Sequence, residues 1–178
     1  MFNIKTSSIL VLLTLMLISG CTGIPKGMQP VNDFDLEKYQ GKWFEIARLD
    51  HSFERGLEQV TANYTILPDG SVEVINRGFS KENQQWKEAT GQAKFVDSAD
   101  QGHLKVSFFG PFYGSYIVFE LDENYQYAFV SGPNLSYLWL LSRTKNVDLK
   151  LIEQFKQKAA TYGFDIKKLM MVEQTSND

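Results

Sequence analysis

Eight short runs rich in Val, Ile, Phe and Tyr follow one another through the middle of the chain, each broken off by turn chemistry. They fall near 42–50, 59–67, 71–79, 85–96, 103–109, 113–121, 125–131 and 136–143. That length and spacing is the signature of an all-β sandwich or barrel. Pro68-Asp69-Gly70, Gly110-Pro111 and Asp122-Glu123-Asn124 are tight junctions, so successive strands pair as an antiparallel meander; the longest early loop runs from Asp50 to Glu58. An open meander of this length would leave two edges to protect, and closure removes both. The expected fold is therefore an all-β, eight-stranded, up-and-down antiparallel β-barrel. Before it, residues 33–39 can form a helical turn with Asp33 as its cap. After it, Val147, Leu151, Ile152, Phe155 and Ala159 recur at helical spacing, which predicts a C-terminal α-helix over 147–161 packed outside the barrel.

Alternation along a strand sorts the two faces, since charged side chains should leave the lumen. Lys105 and Ser107 point out, so Leu104, Val106 and Phe108 point in. Glu120 marks the outer face of the sixth strand, which sends Tyr113, Ile117, Phe119 and Leu121 inward. In the fourth strand the inward positions Ala89, Gly91 and Ala93 are small. Small inward residues leave volume, which favours a barrel holding one small ligand over a barrel filled by its own side chains. In the eighth strand Tyr137, Trp139, Leu141 and Arg143 share the inward register.

The amino-terminal residues differ from the rest. Lys5 precedes an apolar run from Ile9 to Ile18, too short to span a bilayer and placed as a secretory signal. The run ends in Leu17-Ile18-Ser19-Gly20-Cys21, which resembles the bacterial lipobox, and Cys21 is the only cysteine. The resemblance implies cleavage before Cys21 and its acylation, with diacylglyceride on the thiol and a fatty acyl chain such as palmitate on the amine. Thr22 in the next position implies sorting to the outer membrane, with the domain in the periplasm. Residues 1–20 are thus expected to be a signal peptide, 21–30 a lipidated tether rich in Pro and Gly, and 31–178 the domain. With no second cysteine, packing and strand pairing must supply its stability.

At the start of the first strand stands Gly41-Lys42-Trp43, and at the end of the last stands Leu140-Leu141-Ser142-Arg143. Together they resemble the signature of the lipocalins, and the resemblance covers nearly all of residues 31–174, including the helix and a short final strand near Leu169 to Val172. Arg48 to Glu58 and Lys105 to Gly114 are similar to the bacterial lipocalin group, itself similar to apolipoprotein D. Leu121-Asp122-Glu123-Asn124-Tyr125 stands where the family commonly has Thr-Asp-Tyr. First and last strands adjoin in a closed barrel, so Arg143 can stack on the Trp43 indole and bond carbonyls of the amino-terminal turn. The role of Gly41, Trp43 and Arg143 is structural.

The resemblance implies binding, storage or transport of a small hydrophobic ligand at the outer membrane. A single-chain lipid, either fatty acid or lysophospholipid, is expected, with Trp139, Tyr113, Ala89, Gly91 and Phe119 at its chain and Arg48 or Arg55 at its headgroup. Arg48, His51, Glu54 and Arg55 cluster near the mouth, either against a headgroup or as a solvated loop. Glu45 shares parity with Trp43 and Ala47, and one inward carboxyl reads as a hydrogen-bonded core group or a ligand contact. His51 and His103 lack metal-ligand spacing, no phosphate loop or nucleophile elbow is present, and no cofactor or metal is expected. The mild net charge of −3, without a basic stripe, argues against nucleic acid as a partner. Binding is favoured over catalysis. The alternatives are a lipid-modifying enzyme of the lipocalin kind and a structural envelope lipoprotein with a filled barrel. The aromatic run Phe108, Phe109, Phe112, Tyr113 and Tyr116 cannot all face one lumen, so part of it packs beneath the helix, forms a homodimer contact or touches lipid.

Overall fold

The structure, a computed structural model, describes residues 22–175. The expected signal peptide and Cys21 lie outside the described residues. A helical turn α1 (Leu36–Tyr39) leads into β1 (Gly41–Leu49), β2 (Leu57–Ile66), β3 (Val72–Ser80), β4 (Gln85–Phe95), β5 (His103–Phe109), β6 (Phe112–Leu121), β7 (Tyr127–Ser131) and β8 (Leu138–Ser142). A helix α2 (Leu149–Thr161) and a short β9 (Leu169–Met171) follow. Each strand from β2 to β8 pairs antiparallel with the next, β8 pairs with β1, and β1 returns to β2, so the barrel closes. The cap of α1 is Asp35, whose side chain accepts from the Glu37 amide, and not Asp33, which adopts φ 56° two residues earlier.

The edge of β1 away from β8 is shared between two partners. Gly41 to Phe44 pair with β2, whereas beyond a bulge between Glu45 and Ala47 the strand pairs with β9 at Ala47, Arg48 and Leu49. Gln174 holds the fork, its amide donating to Glu45 O at 2.8 Å and Val60 O at 2.9 Å. The carboxy-terminal strand thereby satisfies β1 backbone groups that β2 has left.

Two apolar clusters lie on opposite sides of the sheet. The inner one includes Trp43, Ala62, Tyr64, Val74, Ala93, Leu104 and Leu141; the outer one sits between the barrel and α2 and includes Ile46, Ala47, Ile117, Phe119, Phe129, Phe155 and Ala159. Phe155 is fully buried with its ring 4.9 Å from that of Phe129, and burying such a side chain contributes about 1.5–3 kcal/mol. Asp148 caps α2 by accepting from the Lys150 amide at 2.8 Å. Residues 25–30, expected as a free tether, lie against this outer cluster: Met28 is 2% exposed and the Val31 amide donates to Val118 O at 2.8 Å. Met28 supplies an apolar anchor that the Pro and Gly around it conceal.

The bulges correct the expected facing of β6. A register shift between Val118 and Glu120 puts Phe119 and Glu120 on the same outer side, so Tyr116, Val118 and Leu121 face the inner cluster, and Ile117 and Phe119 face α2. Phe119 packs at 5.6 Å from the Tyr162 ring while Glu120 reaches Lys158 of α2 at 2.9 Å. Tyr113 also lies outside, beneath the Lys105 ammonium at 5.4 Å. Strict alternation fails here because the bulge reverses the parity, and composition does not betray it since the outer face under α2 is apolar too. The same reasoning corrects Ala47, which the β1 bulge turns outward from Glu45.

Candidate functional site

The closed end is sealed around Arg143. Its guanidinium stands 3.9 Å over the Trp43 ring and donates to the carbonyls of Lys38, Tyr39, Gln40, Lys42 and Tyr125 at 2.8–3.2 Å. The Trp43 indole donates to Tyr39 O at 2.7 Å. Gly41 makes the turn from α1 into β1 at φ +90°, which side-chain-bearing residues rarely adopt. These contacts lock α1 across the bottom of the barrel.

Above this seal lies an interior cavity of about 100 Å³. Its wall is largely aliphatic and aromatic, with Val60, Ala62, Val74, Leu104, Val106 and Leu141 among the residues facing it. At its deep side three tyrosines form a chain, Tyr39 Oη to Tyr116 Oη at 2.6 Å and Tyr116 Oη to Tyr64 Oη at 2.8 Å. Burial pushes all three phenols above their ordinary value, and phenols bonded to one another satisfy their own polar demand in an apolar floor. Nothing in the sequence unites residues 39, 64 and 116, so this trio is legible only once the barrel closes.

Toward the mouth the wall turns polar. Glu45 and Glu54 both face the cavity. Arg48 is fully buried; its Nη1 donates to Glu45 Oε1 at 2.6 Å, and its Nη2 donates to Glu54 O at 2.9 Å and Leu57 O at 3.1 Å. The Trp139 indole donates to Glu54 Oε2 at 3.1 Å. The same oxygen lies 3.1 Å from His51 Nε2, but without the alignment of a hydrogen bond. Burial, then the neighbouring Glu54 carboxyl, holds Glu45 well above the usual carboxylate range against the pull of Arg48. Of the two carboxyls only that of Glu45 pairs with the guanidinium, whose other bonds go to the main-chain carbonyls of Glu54 and Leu57. Phe53, Tyr137 and Trp139 surround the His51 ring, with Phe53 stacked on it at 3.9 Å.

The structure brings some of the expected ligand residues to this cavity and not others. Trp139 lines it. Gly91 faces inward opposite Val74, but a Cβ there would stand 2.7 Å from Ser107 O and 2.8 Å from the Phe108 ring, so the space it leaves is filled by Phe108. Ala89 faces inward opposite Asn76 yet is exposed toward the rim. Tyr113 and Phe119 lie outside the barrel, as above. Arg48 is not at a solvated mouth: it is fully buried beneath the 50–57 loop, with Nη1 on Glu45 and Nη2 on the carbonyls of Glu54 and Leu57. Arg55 remains exposed on that loop, paired with Asp50 at 2.8 Å. Glu54 and Asn76, both on the cavity wall, were missed as lumen residues; Asn76 Oδ1 is buried with no partner among the described residues. Period-two spacing from Val72 and Val74 would have placed Asn76 inside. The described residues contain no group of acidic, histidine or cysteine side chains that could hold a metal ion.

A closed eight-stranded calyx, sealed by a tryptophan–arginine stack and flanked by one helix, defines the lipocalin class. Residues 34–174 match the model of the lipocalin-like domain, and the chain belongs to that family. It is 56% identical over 168 residues to the outer membrane lipoprotein Blc of Vibrio cholerae serotype O1, covering 94% of this chain and 98% of that one. To the outer membrane lipoprotein Blc of Escherichia coli K12 it is 46% identical over 150 residues, covering 84% and 85%. Among solved structures it is similar in fold to insecticyanin from the tobacco hornworm Manduca sexta, with a TM-score of 0.69, 22% identity, and 86% and 88% of the two chains covered.

Proposed function

We propose that this lipocalin is an outer-membrane lipoprotein that carries a single-chain amphiphile in its calyx, with the alkyl chain in the apolar cavity and the headgroup beside Glu45 and Glu54. The observation that carries this reading is the gradient within one cavity, walled by aliphatic side chains and self-bonded phenols in its depth and carboxyl-lined toward the mouth. Apolar contact drives entry of the chain at roughly 25 cal/mol per Å² buried, while the few polar groups select the head. Of the two lipids expected from the sequence, the zwitterionic lysophospholipid is favoured over the free fatty acid. A bare carboxylate would meet two carboxyls and an Arg48 guanidinium already bonded to Glu45 and to loop carbonyls, whereas an ammonium can donate to the Glu54 carboxyl. The names of the Blc relatives and the lipobox at Cys21 support the outer-membrane placement.

Calorimetric titration with a palmitoyl lysophospholipid bearing an ethanolamine head tests this, with palmitate in parallel. Saturable binding is expected, tighter for the lysophospholipid, with tryptophan emission changing through Trp139 and the change largely lost in Trp139→Phe. Glu54→Gln should narrow the preference between the two lipids. Equal or tighter binding of palmitate would refute the headgroup assignment. No saturable binding of either would refute the carrier.

A further inference from the structure

The three phenols on the deep side of the cavity carry more donors than the bonds between them use. Each hydroxyl holds one hydrogen and can accept more than one, and the trio makes two hydrogen bonds, one from Tyr39 to Tyr116 and one from Tyr64 to Tyr116. Three hydrogens serve two bonds, so one of them has no acceptor among the described residues. Tyr39 and Tyr64 are buried, at 2% and 7% exposure, whereas Tyr116 is only partly buried and, facing inward, has its remaining surface in the cavity. The arrangement that leaves neither enclosed phenol idle has both donate to Tyr116, whose own hydrogen then points into the lumen. Two accepted bonds polarise that O–H and make it a stronger donor than an isolated phenol.

A second group on the same wall has the opposite need. Asn76 lines the cavity, and its Oδ1 is buried with no hydrogen-bond partner. It follows Val74, the cross-strand partner of Tyr64, by two residues, and so stands one inward step, about 6–7 Å, nearer the mouth. A buried donor and a buried acceptor left unmet each forfeit their hydration without return. A plain alkyl chain covers both groups and satisfies neither. A hydroxyl satisfies both, accepting from the phenol and donating to the carboxamide, and these two bonds also replace the hydration that the hydroxyl itself loses on entering an apolar cavity.

We propose that the calyx selects a lipid whose acyl chain is hydroxylated away from its head: the chain oxygen accepts from the Tyr116 hydroxyl, and the chain hydroxyl donates to Asn76 Oδ1. This rests on the carrier reading and specifies the chain where that reading specifies the head. Gly41, the cross-strand partner of Tyr64, stands four residues below Glu45 on β1, about 13 Å of strand and the reach of roughly ten methylenes. A chain whose head lies beside the carboxyls therefore brings its middle and far carbons to the trio. A hydroxyl next to the ester carbonyl stays near the mouth and reaches neither group. Discrimination of this kind is large for its size, because a site built around a hydroxyl leaves its own buried groups unpaired when the hydroxyl is missing.

The test compares two lysophosphatidylethanolamines on the full-length lipoprotein in mild detergent, oleoyl and ricinoleoyl, which differ only by one hydroxyl in the far half of the chain. Competition calorimetry gives the ratio of their affinities. Ricinoleoyl is expected to bind about fivefold tighter or more, whereas an oleoyl isomer hydroxylated on the carbon beside the carbonyl should show no such gain. Tyr116→Phe should bring the ratio to about one, and Asn76→Leu should lower it. Tyr39→Phe should preserve the ratio, because Tyr64 still donates to Tyr116 and the Tyr116 hydrogen remains free for the ligand. The positional isomers are compared on the unaltered chain, so the proposal is tested even where a variant fails to fold. Equal binding of oleoyl and ricinoleoyl would overturn it and leave the carrier standing, as would a preference indifferent to the position of the hydroxyl or to Tyr116. No saturable binding of any of the three lipids would remove the carrier and this selectivity together.

Discussion

Replacing Arg143 with alanine should open the closed end of the calyx, and the structure sets the size of the effect. The substitution removes a guanidinium stacked 3.9 Å over Trp43, worth about 0.5–2 kcal/mol. It also strips donors from five main-chain carbonyls on α1, β1 and the β6–β7 turn. A hydrogen bond to a charged group contributes roughly 1.5–3 kcal/mol, but three of the five share Nη2, and part of the site can be rehydrated once the arginine is gone. The net expectation is about 2–4 kcal/mol, a fall in melting temperature of roughly 5–15 °C for a domain of this size. Urea unfolding followed by far-ultraviolet circular dichroism measures it. Arg143→Lys keeps the charge but cannot span carbonyls from three elements, so it should recover less than half of the loss. A double-mutant cycle with Trp43→Phe should give a coupling of about 0.5–2 kcal/mol. A loss below about 0.5 kcal/mol for Arg143→Ala, or full recovery by lysine, would refute the argument that this one side chain seals the barrel.

Gly91→Ala should cost about 1–3 kcal/mol and weaken lipid binding, because the new methyl meets the main-chain Ser107 O at 2.7 Å, which only a backbone shift relieves, and the Phe108 ring at 2.8 Å, which must move toward the cavity; unchanged stability and affinity would show that the ring is not wedged there. The Glu45 carboxyl, held up by burial and by Glu54, keeps its proton at pH values where a glutamate of the unfolded chain, near 4.5, has lost it. The folded state then binds more protons, so this contribution is fully present below about pH 4.5 and is lost as pH rises toward the folded value. Glu45→Gln should flatten that limb of the urea midpoint against pH, and an unaltered slope would assign it elsewhere. Cys21→Ala should leave a soluble or unprocessed species; mature protein still in the outer membrane without a lipid label would remove the basis for the anchor.

Strand number, order and limits could be read from the sequence because turn residues interrupt β-rich runs wherever the chain reverses, and the Trp43–Arg143 contact followed from closure once the family signature had singled out the two residues. The facing of β5 and β8 was legible because Lys105 and the Arg143 register mark the two sides, and the β5–β6 register shift between Val106 and Phe109 still leaves Leu104, Val106 and Phe108 on the inner side. The bulges at Glu45/Ala47 and Val118/Glu120 left no mark in composition, and each reverses the parity of everything beyond it. Phe119 and Tyr113 were misplaced on that account. Arg48 was placed at the mouth because a cation near a loop is ordinarily solvated, whereas its burial depends on carbonyls of Glu54 and Leu57 that only the folded loop presents. The tyrosine trio and the Glu54–Trp139 bond join residues far apart in the chain, and single-sequence spacing carries no such information.

The claim that the calyx carries a single-chain amphiphile is tested most directly by native mass spectrometry of the protein taken from its own membrane in mild detergent. The account predicts a bound mass matching one lysophospholipid per barrel, released on unfolding and diminished when Ala62 on the cavity wall is replaced by tryptophan. Protein that retains no lipid in its lumen, or holds equal amounts with the cavity blocked by the Ala62→Trp substitution, would contradict it.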